Sequence, residues 1–306
     1  MNDPTSRLRS GAGVLELLRH FKDDSALADT YAASCLEKAK AAEPVLKAFE
    51  YLPRELTRQA GPLSGIPVGI KDIIATSDMP TTNGSPIYRD HIPARDAWVV
   101  ERLRNLGATI FGKTVSTEFA WRHPGPTTNP WNSKHTPGGS LSGSAATVAA
   151  GIVPLALGTQ TLGSVIRPAA FNGVVGLKPS FGAIPRIGVH PLSPSLDHVG
   201  FFARCVDDVA YALSLLAATS ELDPHGRRCP ALMSKSPRVW RRWKSHAFGS
   251  CGSRNGRGSN PSSRKCSRLQ PRNCGRPAPS WKSANGKNSM RRTGARSIPF
   301  SPAKPR

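Results

Sequence analysis

The chain contains PGGSLSGSAATVAAG at residues 137–151 and GTQTLGSVIRPAA at residues 158–170. Ser140 lies in the first stretch and Ser164 in the second, and both follow Lys71, which lies in GIPVGIKD. A serine hydroxyl is a weak nucleophile and needs a base within hydrogen-bond reach. A lysine can be that base when burial disfavours its charged form. The ordered trio therefore predicts a hydrolytic nucleophile built without histidine.

The turn TLGS precedes and includes the second serine. Glycine-rich turns can direct several consecutive backbone N–H groups at one point, where they stabilise the oxyanion that forms when a carbonyl is attacked. Thr161, Leu162 and Gly163, with Ser164, are the candidates for this role. The chain has no GxSxG motif, and its eight histidines have no motif context, so no Ser-His-Asp arrangement competes.

Helix and strand patterns alternate along the sequence. GIPVGIKD, GATIFGKT, IVPLALGT and VVGLKPS are short apolar runs typical of buried strands. Helices are predicted in residues 12–50, in which there are two, and at 97–106, 142–150 and 206–218. This alternation predicts an α/β fold with a largely buried sheet flanked by helices.

On these motifs, residues 12–225 resemble the amidase signature family. The resemblance implies a mixed sheet, with Lys71 as general base, Ser140 as a bridging serine after a cis peptide, and Ser164 as the nucleophile that accepts the acyl group. We expect the lysine amine and the two hydroxyls to form a chain of hydrogen bonds. The resemblance implies no cofactor and no metal.

The chain departs from the common family pattern at three positions. Leu141 replaces a serine, Gln160 an acidic residue and Leu162 a glycine, which bears on rate and substrate more than on reaction type. Arg167 is interpreted as a structural anchor of the nucleophile turn, and the stretch PSLDHVGFFAR, with Asp197 and His198, as scaffold around the site. Taken singly, each residue also has a purely structural interpretation: Lys71 as the end of a strand, Ser140 as a turn residue and Ser164 as a helix cap.

The composition changes abruptly near residue 226. Residues 226–306 contain 15 Arg and 6 Lys but no Asp or Glu, and only four Leu, Ile or Val. Such a segment buries too little apolar surface to offset its ordering entropy, which predicts disorder. Three explanations stand: a nucleic-acid-binding arm, a solvated linker, or a reading-frame shift in a GC-rich gene, which the acid-free composition favours. The predicted domains are thus 1–225, a partial amidase domain, and 226–306, a tail.

The function predicted from these features is hydrolysis of a carboxylic amide to an acid and ammonia or an amine through a serine acyl-enzyme. The alternatives are the glutaminase subunit of a transfer-RNA-dependent amidotransferase and a noncatalytic protein that binds nucleic acid through its basic tail. We expect a cytoplasmic protein with a small-molecule amide substrate, no membrane association, no nucleic-acid partner beyond nonspecific contact, and a homodimer as one option. Because family members continue past residue 225, we expect truncation to impair activity.

Overall fold

The computed structural model describes residues 11–226. The predicted disorder of residues 226–306 lies, from residue 227 onward, outside the described residues. No helix in the described range is long and apolar enough to span a membrane.

The described chain contains six helices and six strands, apart from short 3₁₀ turns. The helices are α1 (Val14–Asp23), α2 (Ala26–Leu46), α3 (Trp98–Asn105), α4 (Ser142–Ala149), α5 (Ile166–Asn172) and α6 (Val206–Leu216). The strands are β1 (Phe49–Tyr51), β2 (Pro67–Lys71), β3 (Thr109–Thr114), β4 (Leu155–Gln160), β5 (Val175–Leu177) and β6 (His198–Ala203).

The six strands form one mixed sheet in the order β1-β3-β2-β4-β6-β5. The central strands β3, β2 and β4 are parallel, whereas β1, β6 and β5 join as antiparallel neighbours. Every residue of β2, β3 and β4 is buried, so helices and loops cover both faces of the sheet centre. The predicted α/β fold with a mixed, largely buried sheet is confirmed.

Two strands were not predicted. β1 has only three residues, too few for a periodic pattern, and β6 lies in the stretch that was interpreted as scaffold. β6 is nevertheless central, because it pairs with β4 over six residues, from Leu155 with Ala203 to Gln160 with His198. Its residues Phe201 and Phe202 are fully buried in the core.

The parallel centre of the sheet determines where a site can form. β2 and β4 are neighbours and run in the same direction, with Ile70 opposite Leu157. The carboxyl ends of both strands therefore meet at one edge of the sheet, the usual ligand-binding edge of α/β folds. Lys71 ends β2 at that edge, and the turn with Ser164 follows β4.

Candidate functional site

Lys71 is the last residue of β2 and is fully buried. Its Nζ donates a hydrogen bond of 2.8 Å to Ser140 Oγ and another of 2.9 Å to Thr159 Oγ1. The predicted contact between the lysine and the first serine is thus present. Because hydroxyl groups also donate hydrogen bonds, the same partners can serve a neutral amine as well as an ammonium group.

Burial lowers the pKa of Lys71 from 10.5 to about 7, and Asp197 opposes this effect by its negative charge. A low-dielectric environment penalises the ammonium form, and no carboxylate forms an ion pair with this side chain within 4.0 Å in the described range. A substantial fraction of Lys71 is therefore a neutral amine near pH 7, able to accept a proton.

Ser140 lies between β3 and the start of α4. The peptide bond between Gly139 and Ser140 is cis, as the family resemblance implies. Arg167 donates hydrogen bonds from Nε and Nη2 to the carbonyl of Gly139, at 3.1 and 2.9 Å. The Thr117 N–H donates to the carbonyl of Ser140 at 3.1 Å. The peptide before Ser140 is therefore held by Arg167 and the peptide after it by Thr117, and the interpretation of Arg167 as an anchor agrees with its contacts.

The turn that carries Ser164 connects β4 to α5. The buried Gln160 side chain accepts hydrogen bonds through Oε1 from the N–H groups of Val165 and Ile166, at 2.9 and 3.0 Å. These two N–H groups at the start of α5 are thereby satisfied. By contrast, the N–H groups of residues 162–164 donate no hydrogen bond to any described residue, which is the condition an oxyanion-binding turn must meet.

The outer side of this turn is open. Leu162 is 81% exposed, and a Cβ added at Gly163 would meet no atom within 4 Å. Ser164 itself is only 8% exposed. The turn thus presents its backbone to an approaching molecule while the nucleophile candidate stays close to the interior.

The predicted site residues are brought together only in part. Lys71 and Ser140 are hydrogen-bonded, and Ser164 lies at the same sheet edge, but within residues 11–226 no hydrogen bond joins its hydroxyl to either of them. Thr161 directs its hydroxyl away, to the Asp197 carboxylate, so only its backbone remains for an oxyanion role. Catalytic hydrogen bonds are often long without substrate.

Two of the departures from the family pattern have structural counterparts. Leu141 is fully buried and lies directly against Gly158, where an added Cβ would overlap the leucine side chain. The leucine therefore fills space that the neighbouring strand leaves open. Gln160 supplies an acceptor oxygen without a charge, which suffices to hold the start of α5.

Thr159 was missed by sequence reasoning. It precedes the glycine-rich turn and carries no motif of its own, but strand pairing could have suggested it. Ile70 is opposite Leu157, so the residue after Ile70 reaches the level just beyond Leu157 on β4. A buried hydroxyl at that level is a natural partner for a buried lysine.

A second buried lysine, Lys113 on β3, was also missed. Its Nζ donates to the Ile74 carbonyl and the Thr81 hydroxyl at 2.6 Å each and to the Thr76 hydroxyl at 3.2 Å, and it lies 3.9 Å from Asp72 Oδ1. Burial lowers the pKa of Lys113 to about 8, opposed by Asp72. Its ammonium group is hence held by the loop after β2 and is a structural feature.

The described residues include no group of three or more His, Cys, Asp or Glu side chains arranged to hold a metal ion. What the site contains is a buried lysine of low pKa, a serine hydrogen-bonded to it, a second serine on a turn with free N–H groups, and an open outer side.

Comparison with known proteins gives a consistent result. A family model described as Amidase matches residues 16–246. A glutamyl-tRNA(Gln) amidotransferase subunit of Rhodopirellula baltica is 41% identical over 228 residues, which cover 68% of this chain and 46% of that protein.

Among solved structures, the protein of the same name from Thermotoga maritima matches with a TM-score of 0.67 and 34% identity, covering 72% of this chain and 49% of that one. The peptide amidase of Stenotrophomonas maltophilia matches with a TM-score of 0.65 and 33% identity, covering 76% and 53%. The chain spans about half the length of these relatives.

Proposed function

Because the chain belongs to the amidase family, we propose that its site hydrolyses a carboxylic amide to an acid and ammonia or an amine through an ester with Ser164. The observation that carries the proposal is the contact between Lys71 and Ser140, in which a fully buried amine of pKa about 7 donates at 2.8 Å to a serine hydroxyl. A surface lysine would be charged at neutral pH and would not act as a base.

The first half of the reaction transfers a proton along the serines. Neutral Lys71 takes the Ser140 hydroxyl proton as Ser140 takes that of Ser164, whose oxygen attacks the amide carbon. The resulting tetrahedral oxyanion accepts hydrogen bonds from the free N–H groups of residues 162–164. The lysine proton then returns through Ser140 to the leaving nitrogen, and the C–N bond breaks.

The second half repeats the same steps with water. Water gives a proton through Ser140 to Lys71 and attacks the ester carbon. The proton then returns through Ser140 to the Ser164 oxygen, and the acid leaves. No cofactor or metal takes part in this scheme. The scheme needs a hydrogen bond between the Ser140 and Ser164 hydroxyls, and we expect it to form when substrate binds, because catalytic hydrogen bonds tighten in the complex.

A second candidate is hydrolysis of glutamine as part of a transfer-RNA-dependent amidotransferase. The observation that favours it is the identity to proteins named as one subunit of that enzyme, 41% over 228 residues in the Rhodopirellula baltica protein. The two candidates share the chemistry of the first step and differ in the acyl group. Release of ammonia from free glutamine, compared with release from simple aliphatic and aromatic amides, separates them.

The experiment that tests the proposal measures ammonia release by the purified 306-residue chain, with Ser164→Ala as the blank. A version extended with the part of a relative that the chain does not match serves as the comparison, because the chain spans about half of its relatives. We expect Ser164-dependent turnover in the extended version and a slower rate in the chain itself.

Trapping of the intermediate gives a second measurement. Hydroxylamine added to the reaction should yield a hydroxamate from the ester, and mass spectrometry should find the acyl group on Ser164. Turnover that survives Ser164→Ala, or an acyl group on another residue, would refute the assignment.

A further inference from the structure

His198, the first residue of β6, lies beside the start of the turn that carries Ser164. Its Cα is paired with that of Gln160 across β4 and β6. The ring nitrogen Nδ1 lies 2.6 Å from the Leu196 carbonyl oxygen and 3.3 Å from the Gln160 carbonyl oxygen. On the other side of the ring, Nε2 lies 3.2 Å from Lys178 Nζ.

These contacts determine the protonation of the ring. Carbonyl oxygens only accept hydrogen bonds, so Nδ1 must carry a proton to bond with them. An ammonium group only donates, so Nε2 must keep its lone pair to bond with Lys178. The ring is therefore a neutral imidazole with its proton on Nδ1, and Lys178 selects this tautomer.

The bond from Nδ1 to Leu196 closes a tight corner over residues 196–198, and Asp197 lies at its centre. One Asp197 oxygen accepts the Thr161 hydroxyl, while the other accepts the N–H groups of Leu192 and Ser193 at 2.8 Å each. Thr161 is the first residue of the turn after β4. A continuous chain of contacts thus runs from Lys178 through His198 and Asp197 to the turn.

We propose that Lys178 and His198 are positioning residues, which hold the Asp197 corner and through it the turn at residues 161–164 in the geometry that oxyanion binding requires. The reaction this serves is the one proposed above, on which the inference rests. Neither residue contacts the reacting atoms. The effect is geometric, because displacements of about 1 Å at such a turn cost about 100-fold in rate.

The charges around His198 agree with a neutral ring. Burial lowers the pKa of His198, and the positive charges of Lys178 and Arg186 lower it further, while its hydrogen bonds to the Leu196 and Gln160 carbonyls raise it. Asp197 is adjacent in sequence, and the ring of Phe181 packs edge-on against both His198 and His225. Protonation of His198 would place two cations in contact, so the arrangement is lost at acid pH.

The decisive test does not need activity. Nitrogen-15 spectra of the imidazole rings in the full chain, with His198 assigned by His198→Leu, should show Nδ1 protonated and Nε2 unprotonated at pH 7. In Lys178→Met the signals should move toward a mixture of tautomers, whereas Lys134→Met, at an exposed lysine, should leave them unchanged. A ring protonated on Nε2 in the unaltered chain, or one indifferent to Lys178→Met, would overturn the proposal.

The link between His198 and the turn is tested with two variants of His198, whose new side chains, leucine and asparagine, are similar in shape to each other. Asparagine can place an N–H where Nδ1 lies, and leucine cannot. His198→Leu should speed amide exchange of Val165 and Ile166, whose N–H groups bond to Gln160 at the end of the turn. It should also lower kcat about 10-fold with little change in KM, and His198→Asn should stay within about 3-fold of the unaltered chain.

The outcomes separate the two proposals. If the spectra and the exchange rates are as expected but no Ser164-dependent hydrolysis occurs, the proposed function is refuted and the positioning of the turn by Lys178 and His198 still stands. Hydrolysis with unchanged kcat and unchanged exchange in His198→Leu would refute the positioning role alone.

Discussion

Arg167 donates from two nitrogens of its guanidinium group to a single oxygen, the carbonyl of Gly139. The first residue lies in α5, three positions after Ser164, and the second immediately precedes Ser140. This contact joins the two serine-bearing segments directly. The relative position of the two hydroxyls therefore depends on it.

Replacing Arg167 with lysine should lower kcat about 10- to 100-fold, because lysine keeps the charge but lacks the planar fork that holds the carbonyl from two nitrogens. KM for uncharged amides should change little. Steady-state kinetics on a neutral and an anionic amide of similar size make the measurement. A rise in KM confined to the anionic substrate would instead identify Arg167 as a substrate contact.

The free energy of unfolding should rise with pH because of Lys71. Its pKa is about 7 in the folded chain and about 10.5 unfolded, so between these values only the unfolded state binds the proton. Stability then increases by up to about 1.4 kcal/mol per pH unit, and below pH 7 the full destabilisation applies.

Denaturant titrations of the unaltered chain and Lys71→Met between about pH 6 and 10 isolate this contribution, since Lys113 and the other groups are common to both. The methionine variant should be the more stable at the acid end of this range, and the difference should shrink as pH rises. A difference that is independent of pH would contradict the assigned pKa.

Replacing Thr159 with valine should shift the pH dependence of kcat/KM. In the unaltered chain we expect activity to rise with pH through about 7 as Lys71 loses its proton. Valine removes the hydroxyl that accepts a hydrogen bond from Lys71 Nζ at 2.9 Å. Because a charged donor makes the stronger hydrogen bond, this loss disfavours the ammonium form of Lys71, and the rise in kcat/KM should move to lower pH by about one unit. The highest value of kcat/KM should also fall, because the Lys71 amine is less precisely oriented toward Ser140. Thr159→Ser, which keeps the acceptor, should behave as the unaltered chain does.

Gly158→Ala should destabilise the chain by about 1 to 3 kcal/mol or more, because the added methyl group overlaps the buried side chain of Leu141. Activity should fall as well, since Leu141 directly follows Ser140. The double variant Gly158→Ala/Leu141→Ala should recover part of the loss relative to the sum of the single changes. Thermal unfolding of the unaltered chain, the two single variants and the double variant completes a double-mutant cycle. Strictly additive changes in stability would show that the two positions do not interact.

The basic C-terminal segment should bind polyanions without specificity. Residues 227–306 contain 15 Arg and 6 Lys without an acidic residue, and such segments bind nucleic acid through counterion release. Binding of duplex DNA by the full chain should fall steeply between about 50 and 200 mM salt and should be lost in a chain ending at Gly226. Salt-resistant binding of one sequence would favour the binding-arm explanation over the frame-shift explanation.

The sequence was sufficient for the fold class and for the positions of Lys71 and Ser140. Both lie in motifs whose local chemistry is visible without a structure: an apolar strand that ends in a lysine, and glycines before a serine. β2, β3 and β4 were predictable for a similar reason, because fully buried strands are continuous apolar runs.

Contacts between distant residues that lie in no recognisable motif could not be predicted. Thr159 has no motif, and its role depends on the pairing of β4 with β2. Asp197 was assigned to scaffold, which its contact with Thr161 supports, but the order Lys178, His198, Asp197, Thr161 exists only in three dimensions. Contacts of this kind follow from which strands and loops become neighbours in the fold, and no local motif in the sequence gives that.

The parallel arrangement of β2 and β4 also sets an order of events during synthesis. Lys71 is separated by 69 residues from Ser140 and by 88 from Thr159, so its partners do not exist when its own strand leaves the ribosome. At about 5 to 20 residues per second, translation needs on the order of ten seconds to supply them. The hydrogen bonds of Lys71 are therefore formed late, and a nascent chain that ends before Thr159 has the lysine without its partners.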